Sequence, residues 1–143
     1  MIKIVYPDKK PAIKTEGDRE LVFCVARKRW VHLTPEEWVR QNTLLYLTET
    51  LQYPSSLISV ERQLTLGELQ KRFDIVVYKD EKPFVLIECK EMNVRVTQKT
   101  LDQVLRYNIN LQAVYFIITN GTTCYGFSKA DGHLTGIDEF PAF

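Results

Sequence analysis

The stretch that most constrains this chain is residues 73–90, which read as two apolar strands joined by a polar turn at residues 79–82. Three charges interrupt the apolar pattern. Asp74 stands near the start of the first strand, and Glu88 and Lys90 stand at the end of the second. Because strand side chains alternate with period two, we expect Glu88 and Lys90 to leave the sheet on the same face.

Charged side chains at the end of an apolar strand are unfavourable unless they are paired, bound to a cation or placed at an open edge. One interpretation is therefore a salt-bridged strand end. The other needs a second carboxylate, which Asp74 supplies one hairpin away from Glu88. Two carboxylates can hold Mg²⁺ or Mn²⁺, with the backbone carbonyl of Cys89 as a third oxygen ligand. The ammonium of Lys90 could then orient or deprotonate a water for attack on a phosphodiester.

Asp74, a hairpin and then Glu88-Cys89-Lys90 resemble the PD-(D/E)xK nuclease signature. Residues 103–107, Gln-Val-Leu-Arg-Tyr, resemble the Q-x-x-x-Y element in the nuclease part of type I restriction R subunits. With the helix start described below, the resemblance covers about residues 27–127. Phe73 stands where the family signature has proline, and since that proline is not a ligand the chemistry is retained.

This resemblance implies a Mg²⁺-dependent endonuclease that hydrolyses phosphodiester bonds in DNA, in restriction-modification. It assigns Asp74 and Glu88 to the metal and Lys90 to the attacking water, and it adds Gln103 and Tyr107 to the site. It also implies a motor or specificity subunit as a partner.

The first predicted helix begins at Thr34, with Pro35 at the first helical position and Glu37 completing a capping box, and it ends near Leu51. One face carries residues 37, 40, 44, 47 and 51, which are charged at the amino end and leucine thereafter. The capping box alone explains Glu37. The resemblance, however, implies an acidic residue of such a helix near the metal, and we assign Glu37 to that role with Glu36 as second choice.

A basic cluster lies just before this helix, at Arg27, Lys28 and Arg29, followed by Trp30. Such a cluster is either a solvated face or a phosphate-binding surface on which Trp30 stacks against a base. Arg40 on the helix is a further candidate nucleic-acid contact.

A second helix is predicted from Thr97 to about residue 110. Gln103 and Tyr107 are four residues apart, so they share a face of this helix. By spacing alone they could be an interfacial polar pair; with the metal motif we expect them to face the site. Lys99 and Arg106 would then contact the nucleic-acid backbone.

The order of predicted elements indicates an α/β fold, a restriction-endonuclease-like sandwich with a central mixed β-sheet flanked by helices. The segment between Lys90 and Ala113 is long enough for a helical crossover, so we expect the strands at its two ends to be parallel. The chain reads as one domain, with a strand-forming extension (1–26, with an edge strand at 2–6 and a loop at 8–18), a nuclease core (27–128) and a polar tail (129–143).

The formal net charge is only +1, so a phosphate-binding surface would have to be local. Three cysteines without a CxxC pair favour buried, reduced thiols over a disulfide framework or a zinc site. The sequence has neither a secretory apolar segment nor a run of membrane-spanning length, which predicts a cytoplasmic protein without membrane contact.

Other functions remain open. The chain lacks a G-x-x-x-x-G-K-[ST] loop, so it could be a nucleic-acid-binding module that does not cut, or a nuclease subunit that needs a partner motor protein. Cleavage of RNA or of flapped or branched DNA is a third alternative. Carboxylates on opposite faces of the sheet, or already neutralised by protein cations, would weigh against the metal site.

Overall fold

The computed structural model describes residues 1–66, 68–108 and 113–143, without the side chains of residues 66, 69, 107 and 108. These residues form nine strands: β1 (Ile13–Glu16), β2 (Arg19–Cys24), β3 (Arg29–His32), β4 (Ile58–Leu66), β5 (Leu69–Lys79), β6 (Lys82–Cys89), β7 (Tyr115–Thr119), β8 (Cys124–Ala130) and β9 (His133–Ile137). They also form two α-helices, α1 (Pro35–Leu45) and α2 (Gln98–Asn108).

The central sheet has the order β4-β5-β6-β7-β8-β9. Strands β6 and β7 are parallel and the other neighbours are antiparallel. The α2 segment joins β6 to β7, so the predicted crossover and the mixed α/β sheet are both confirmed. Strands β1, β2 and β3 form a separate antiparallel sheet.

The central sheet is covered on both faces. One face packs against α1, in a cluster that includes Leu44, Leu47, Ile75 and Ile87. The opposite face carries Leu86 and Phe116 in a second cluster. On that same side Ile118 packs against Leu101 and Val104 of α2.

Helix α1 begins as predicted. The hydroxyl of Thr34 accepts a hydrogen bond from the backbone N–H of Glu37 at 3.0 Å, and Pro35 is the first helical residue. After Leu45 the helix continues as a single π-turn at Tyr46–Thr50. Glu37 and Arg40 are each only 6% exposed, so the buried face of the helix does begin with charged residues.

The central hairpin is confirmed as well. Strands β5 and β6 are joined by Asp80 and Glu81, whose φ angles are +52° and +64°. Two successive positive φ angles are typical of a type I′ turn, whose twist matches that of the flanking strands.

Two sequence predictions about the N-terminal extension are wrong. Residues 2–6 form no strand, although the N–H of Ile2 donates to the carbonyl of Cys124 at 2.8 Å. The predicted loop at 8–18 contains β1. The polar segment 129–143 includes β9, for which no strand was predicted. Both β1 and β9 are largely exposed edge strands, so they lack the apolar alternation by which a strand is recognised.

The predicted second helix is observed to Asn108. Thr97 caps it, since its hydroxyl accepts from the N–H of Thr100 at 3.3 Å. The predicted end near residue 110 lies outside the described residues. No helix among residues that the structure describes is long and apolar enough to cross a membrane.

We expect Gly121→Ala to lower the free energy of unfolding by about 1–3 kcal/mol. Gly121 has a φ of +91°, and an added Cβ would lie 3.3 Å from Cγ2 of Val39 on α1. Urea unfolding measures the loss. Gly136→Ala is the control, because its Cβ would meet no atom within 4 Å. Equal effects at the two positions would contradict this packing.

Candidate active site

The site is built on an irregularity shared by β4 and β5. In the ladder between β4 and β5 the residues on either side of Glu61 and Asp74 are paired, whereas Glu61 and Asp74, which stand opposite each other, are not. Glu61 also has a φ of +54°. Residues two apart in a regular strand share a face. Phe73 and Ile75, however, belong to clusters on opposite faces. The strand is therefore distorted at Asp74.

The distortion lets the Asp74 carboxylate reach α1. Its Oδ1 accepts from Nη2 of Arg40 at 2.6 Å, and its Oδ2 accepts from the backbone N–H of Cys89 at 2.8 Å. The Asp74 side chain is 17% exposed and that of Arg40 is 7% exposed. Asp74 thus joins the first turns of α1 to the end of β6.

Arg40 is shared among several carboxylates. Its Nη1 donates to Oε1 of Glu37 at 2.8 Å, and its Nη2 lies 3.4 Å from Glu36 and 3.8 Å from Glu61. Burial alone would lower the pKa of this guanidinium, but the hydrogen bond and charge of Asp74 raise it overall. Arg40 therefore stays charged. Its Nε is buried without a hydrogen-bond partner among the described residues.

Arg27 holds the loop between β2 and β3 against this network. It donates to Glu37 at 2.7 Å, to Glu61 at 3.2 Å and to the sulfur of Cys24 at 3.2 Å. The side chain is 15% exposed. Of the predicted nucleic-acid contacts, Arg27 and Arg40 therefore lie inside the protein's own ion pairs.

The two neighbouring glutamates of α1 differ in their surroundings. Burial alone would raise the pKa of Glu37, but hydrogen bonds from Arg27 and Gln41 and the charge of Arg40 lower it overall. Glu36 is different: burial and the nearby Asp74 carboxylate raise its pKa, and Arg40 and then Lys90 only partly offset this. Glu36 therefore lies within electrostatic reach of both Asp74 and Lys90.

Glu88 has a different partner. Its Oε1 lies 3.0 Å from Nζ of Lys71, and that ammonium also lies 5.2 Å from the ring centroid of Phe73. Glu88 alternates with Ile87 and Cys89, which pack towards α1, so its side chain starts from the opposite face. The salt-bridged strand end is what the structure shows at Glu88. The carboxylates of Asp74 and Glu88 have no shared partner among the described contacts.

The α2 residues lie apart from the Asp74 network. Lys99, Gln103 and Arg106 line a depression together with Asp102, on a helix that packs on the opposite face of the sheet from α1. Gln103 and Arg106 are exposed. The side chain of Tyr107 lies outside the described residues.

A cleft of about 390 Å³ opens beside the acidic network. The residues that line it are Arg27, Val31, His32, Thr34, Glu36, Glu37, Arg40 and Glu61. Glu61, His32 and Lys71 were not predicted as part of any site. Single charged or polar residues in strand positions carry no sequence signal that would have selected them.

The carboxylates of the site are chemically suitable ligands for a hard divalent cation, but their present ion pairs and hydrogen bonds leave them occupied. Carboxylate oxygens are the ligands Mg²⁺ prefers, and a divalent cation would relieve the crowding between Asp74 and Glu36. Yet Asp74 is held by Arg40 and Cys89, and Glu88 by Lys71. Among the described residues, no group of three or more His, Cys, Asp or Glu is placed to hold a metal. An ion would have to displace those pairs.

Residues 35–141 match the family described as type I restriction enzyme R protein N terminus. The chain belongs to this family. The resemblance stated from the sequence is thereby confirmed, and with it a relation to restriction enzymes. The matched family region begins with α1 and contains the whole central sheet, whereas β1, β2 and β3 lie outside it. No curated protein matches the chain.

We expect Arg40→Met to lower the free energy of unfolding by about 3–5 kcal/mol. The change leaves Asp74 and Glu37 buried without their cation. Adding Asp74→Asn to this variant should restore part of the loss, and urea unfolding at neutral pH measures both effects.

The control is Lys9→Met, which removes the exposed pair between Lys9 and Glu49, 3.2 Å apart. Such pairs contribute about 0–1 kcal/mol. A loss in Arg40→Met no larger than in this control would show that the network does not stabilise the fold.

The lowered pKa of Glu37 determines how the stability of the folded protein changes with pH. Its ion pairs stabilise the protein fully above the ordinary value of 4.5, and the contribution disappears as the pH falls through the lower folded-state pKa. The difference in melting temperature between wild type and Glu37→Gln should therefore be large at neutral pH and shrink in acid. A pH-independent difference would refute this, and Glu49→Gln, on an exposed helix end, is the control.

Proposed function

We propose that this chain is a Mg²⁺- or Mn²⁺-dependent endonuclease that hydrolyses phosphodiester bonds in DNA. The observation that carries the proposal is the placement of Asp74 against the end of β6, bonded to the N–H of Cys89, with Glu36 within electrostatic reach of both Asp74 and Lys90. Membership of a restriction-enzyme family supports the same reaction.

In this proposal Asp74 and Glu88 would hold the ion, as the signature implies, with the Cys89 carbonyl beside them. Glu88 would have to reach the ion around the end of β6, since its side chain starts from the opposite face. We assign Glu36 to the ion in preference to Glu37, because burial and then Asp74 raise the pKa of Glu36 whereas Glu37 is held by Arg27 and Arg40. A bound divalent ion stabilises charge on the phosphate and lowers the pKa of its water. Lys90 positions the attacking water and assists its deprotonation.

Binding of the ion requires Asp74 to leave Arg40 and Glu88 to leave Lys71. A guanidinium released from a carboxylate matches the geometry of a phosphate group. Arg40 could therefore exchange Asp74 for a phosphate of the substrate. Its unpartnered Nε supplies a further donor for that contact.

The other candidate contacts are proposed for the DNA backbone. Lys99, Gln103, Arg106 and Tyr107 belong to α2, on the far face of the sheet from Arg40. We assign them to positioning the DNA, since phosphate contacts fix register without reading sequence.

A second candidate is a DNA-binding module that does not cut alone, or that cuts only with a partner motor or specificity subunit. The ion pairs Arg40–Asp74 and Lys71–Glu88 favour it, because they neutralise both signature carboxylates in the isolated chain. A partner could supply the free energy that opens them.

Nicking of supercoiled plasmid with Mg²⁺ or Mn²⁺ tests the proposal. We expect Asp74→Asn and Lys90→Met to lower the nicking rate by about 100-fold or more. Asp131→Asn, the same chemical change on an exposed turn, is the control and should nick normally. Activity that survives Asp74→Asn unaltered would refute the site.

Two further arms separate the alternatives. A wild-type chain that is inert but binds DNA, with binding unchanged in Glu88→Gln, would favour the non-cutting module. Unlabelled RNA and flapped DNA, added as competitors to the nicking reaction, would reveal a preference for either substrate.

A further inference from the structure

The three-stranded sheet formed by β1, β2 and β3 has an inner and an outer face. Val22 and Cys24 of β2 are fully buried, so they mark the inner face. Phe23 alternates with them and stands directly opposite Trp30 of β3. The register also places Lys14 of β1 opposite Leu21. Leu21 is two residues before Phe23, so it lies on the same face of β2. Lys14, Phe23 and Trp30 therefore share the outer face.

These three side chains form an ordered, accessible aromatic site. The ring centroids of Phe23 and Trp30 are 5.4 Å apart in an edge-to-face arrangement. Nζ of Lys14 lies 4.5 Å from the centroid of the Trp30 ring. Trp30 is nevertheless 37% exposed. A tryptophan fixed in this way offers its exposed surface to a nucleobase at little further entropic loss. The Lys14 ammonium lies over the ring and is also 3.4 Å from the carboxylate of Glu16.

The β1–β3 sheet carries a local excess of positive charge. Residues 13–32, which form it, contain five basic and three acidic side chains, a net charge of +2. Residues 35–143 contain eleven basic and fourteen acidic side chains, a net charge of −3. Lys28 and Arg29, next to Trp30, are exposed. Charge complementarity therefore favours a polyanion on this sheet.

The aromatic site continues into the cleft beside the acidic network. His32 follows Trp30 by two residues on the same strand and lines that cleft together with Glu36 and Arg40. Two residues of a strand span about 7 Å, which is comparable with the spacing of successive nucleotides. A chain bound at Trp30 thus has a short path to the carboxylates.

We propose that the β1–β3 sheet binds an unpaired stretch of DNA or RNA, with a base stacked on Trp30 and phosphates held by Lys14, Lys28 and Arg29. The unpaired state follows from the chemistry, because the faces of bases in a duplex are covered by their neighbours. The surface lies outside the family region, and its binding does not depend on cleavage, so it extends the proposed function by naming the form of the substrate.

Fluorescence anisotropy in EDTA tests the inference without cleavage, with labelled (dT)₂₀, (rU)₂₀ and a hairpin duplex of equal length as probes. We expect Trp30→Ala to weaken binding of the single strands by about tenfold and of the duplex by less than about twofold. Trp30→Phe keeps an aromatic face in the same packing, so it should retain most of the affinity. The two single-strand arms distinguish DNA from RNA.

A charge-matched pair of double variants provides the control. Lys28→Ala with Arg29→Ala should weaken binding to all three probes and reduce its salt dependence. Arg72→Ala with Lys82→Ala removes the same charge from exposed positions on β5 and β6 and should change neither. Equal losses in the two double variants, or equal losses on single strand and duplex in Trp30→Ala, would overturn the proposal.

Failure here is distinguishable from failure of the nuclease proposal. A wild-type chain that nicks plasmid but does not bind the single strands overturns this surface alone. A chain that binds (dT)₂₀ through Trp30 but does not nick plasmid supports this surface and overturns only the nuclease assignment.

Discussion

The ion pair between Arg40 and Asp74 is the interaction on which the rest of the site depends. It is 2.6 Å long and largely buried, so neither partner can be left alone without an uncompensated charge. Arg40 brings the charged first turns of α1 over the point where β4 and β5 are distorted. Arg27, between β2 and β3 of the N-terminal sheet, forms ion pairs with Glu37 and Glu61 of the same network. Two layers and two sheets are thus joined through one cluster of charges.

That cluster is unbalanced. It contains four carboxylates and two guanidinium groups, namely Glu36, Glu37, Glu61, Asp74, Arg27 and Arg40. The excess of negative charge affects Glu36 in particular. Burial and the neighbouring Asp74 carboxylate raise the pKa of this glutamate. Such an excess favours an additional cation, which is the physical basis for proposing a metal here.

Much of the fold could be predicted from local chemistry. The cap at Thr34, the turn at Asp80-Glu81 and the crossover between β6 and β7 all follow from short-range patterns. The site was only partly accessible. The ladder between β4 and β5 is interrupted where Glu61 stands opposite Asp74, and the partner of Glu88 is Lys71. Both features depend on strand register, which no local pattern fixes. The exposed strands β1 and β9 were missed because solvent-facing edges lack apolar alternation.

The most direct test of the central claim is a crystal structure of the chain soaked in millimolar Mn²⁺, read by anomalous scattering. Our account predicts a peak bound by the Asp74 carboxylate, with Nη2 of Arg40 moved out of hydrogen-bond distance from Oδ1. An Asp74 still paired with Arg40, and no peak beside it at a concentration that supports nicking, would contradict the account.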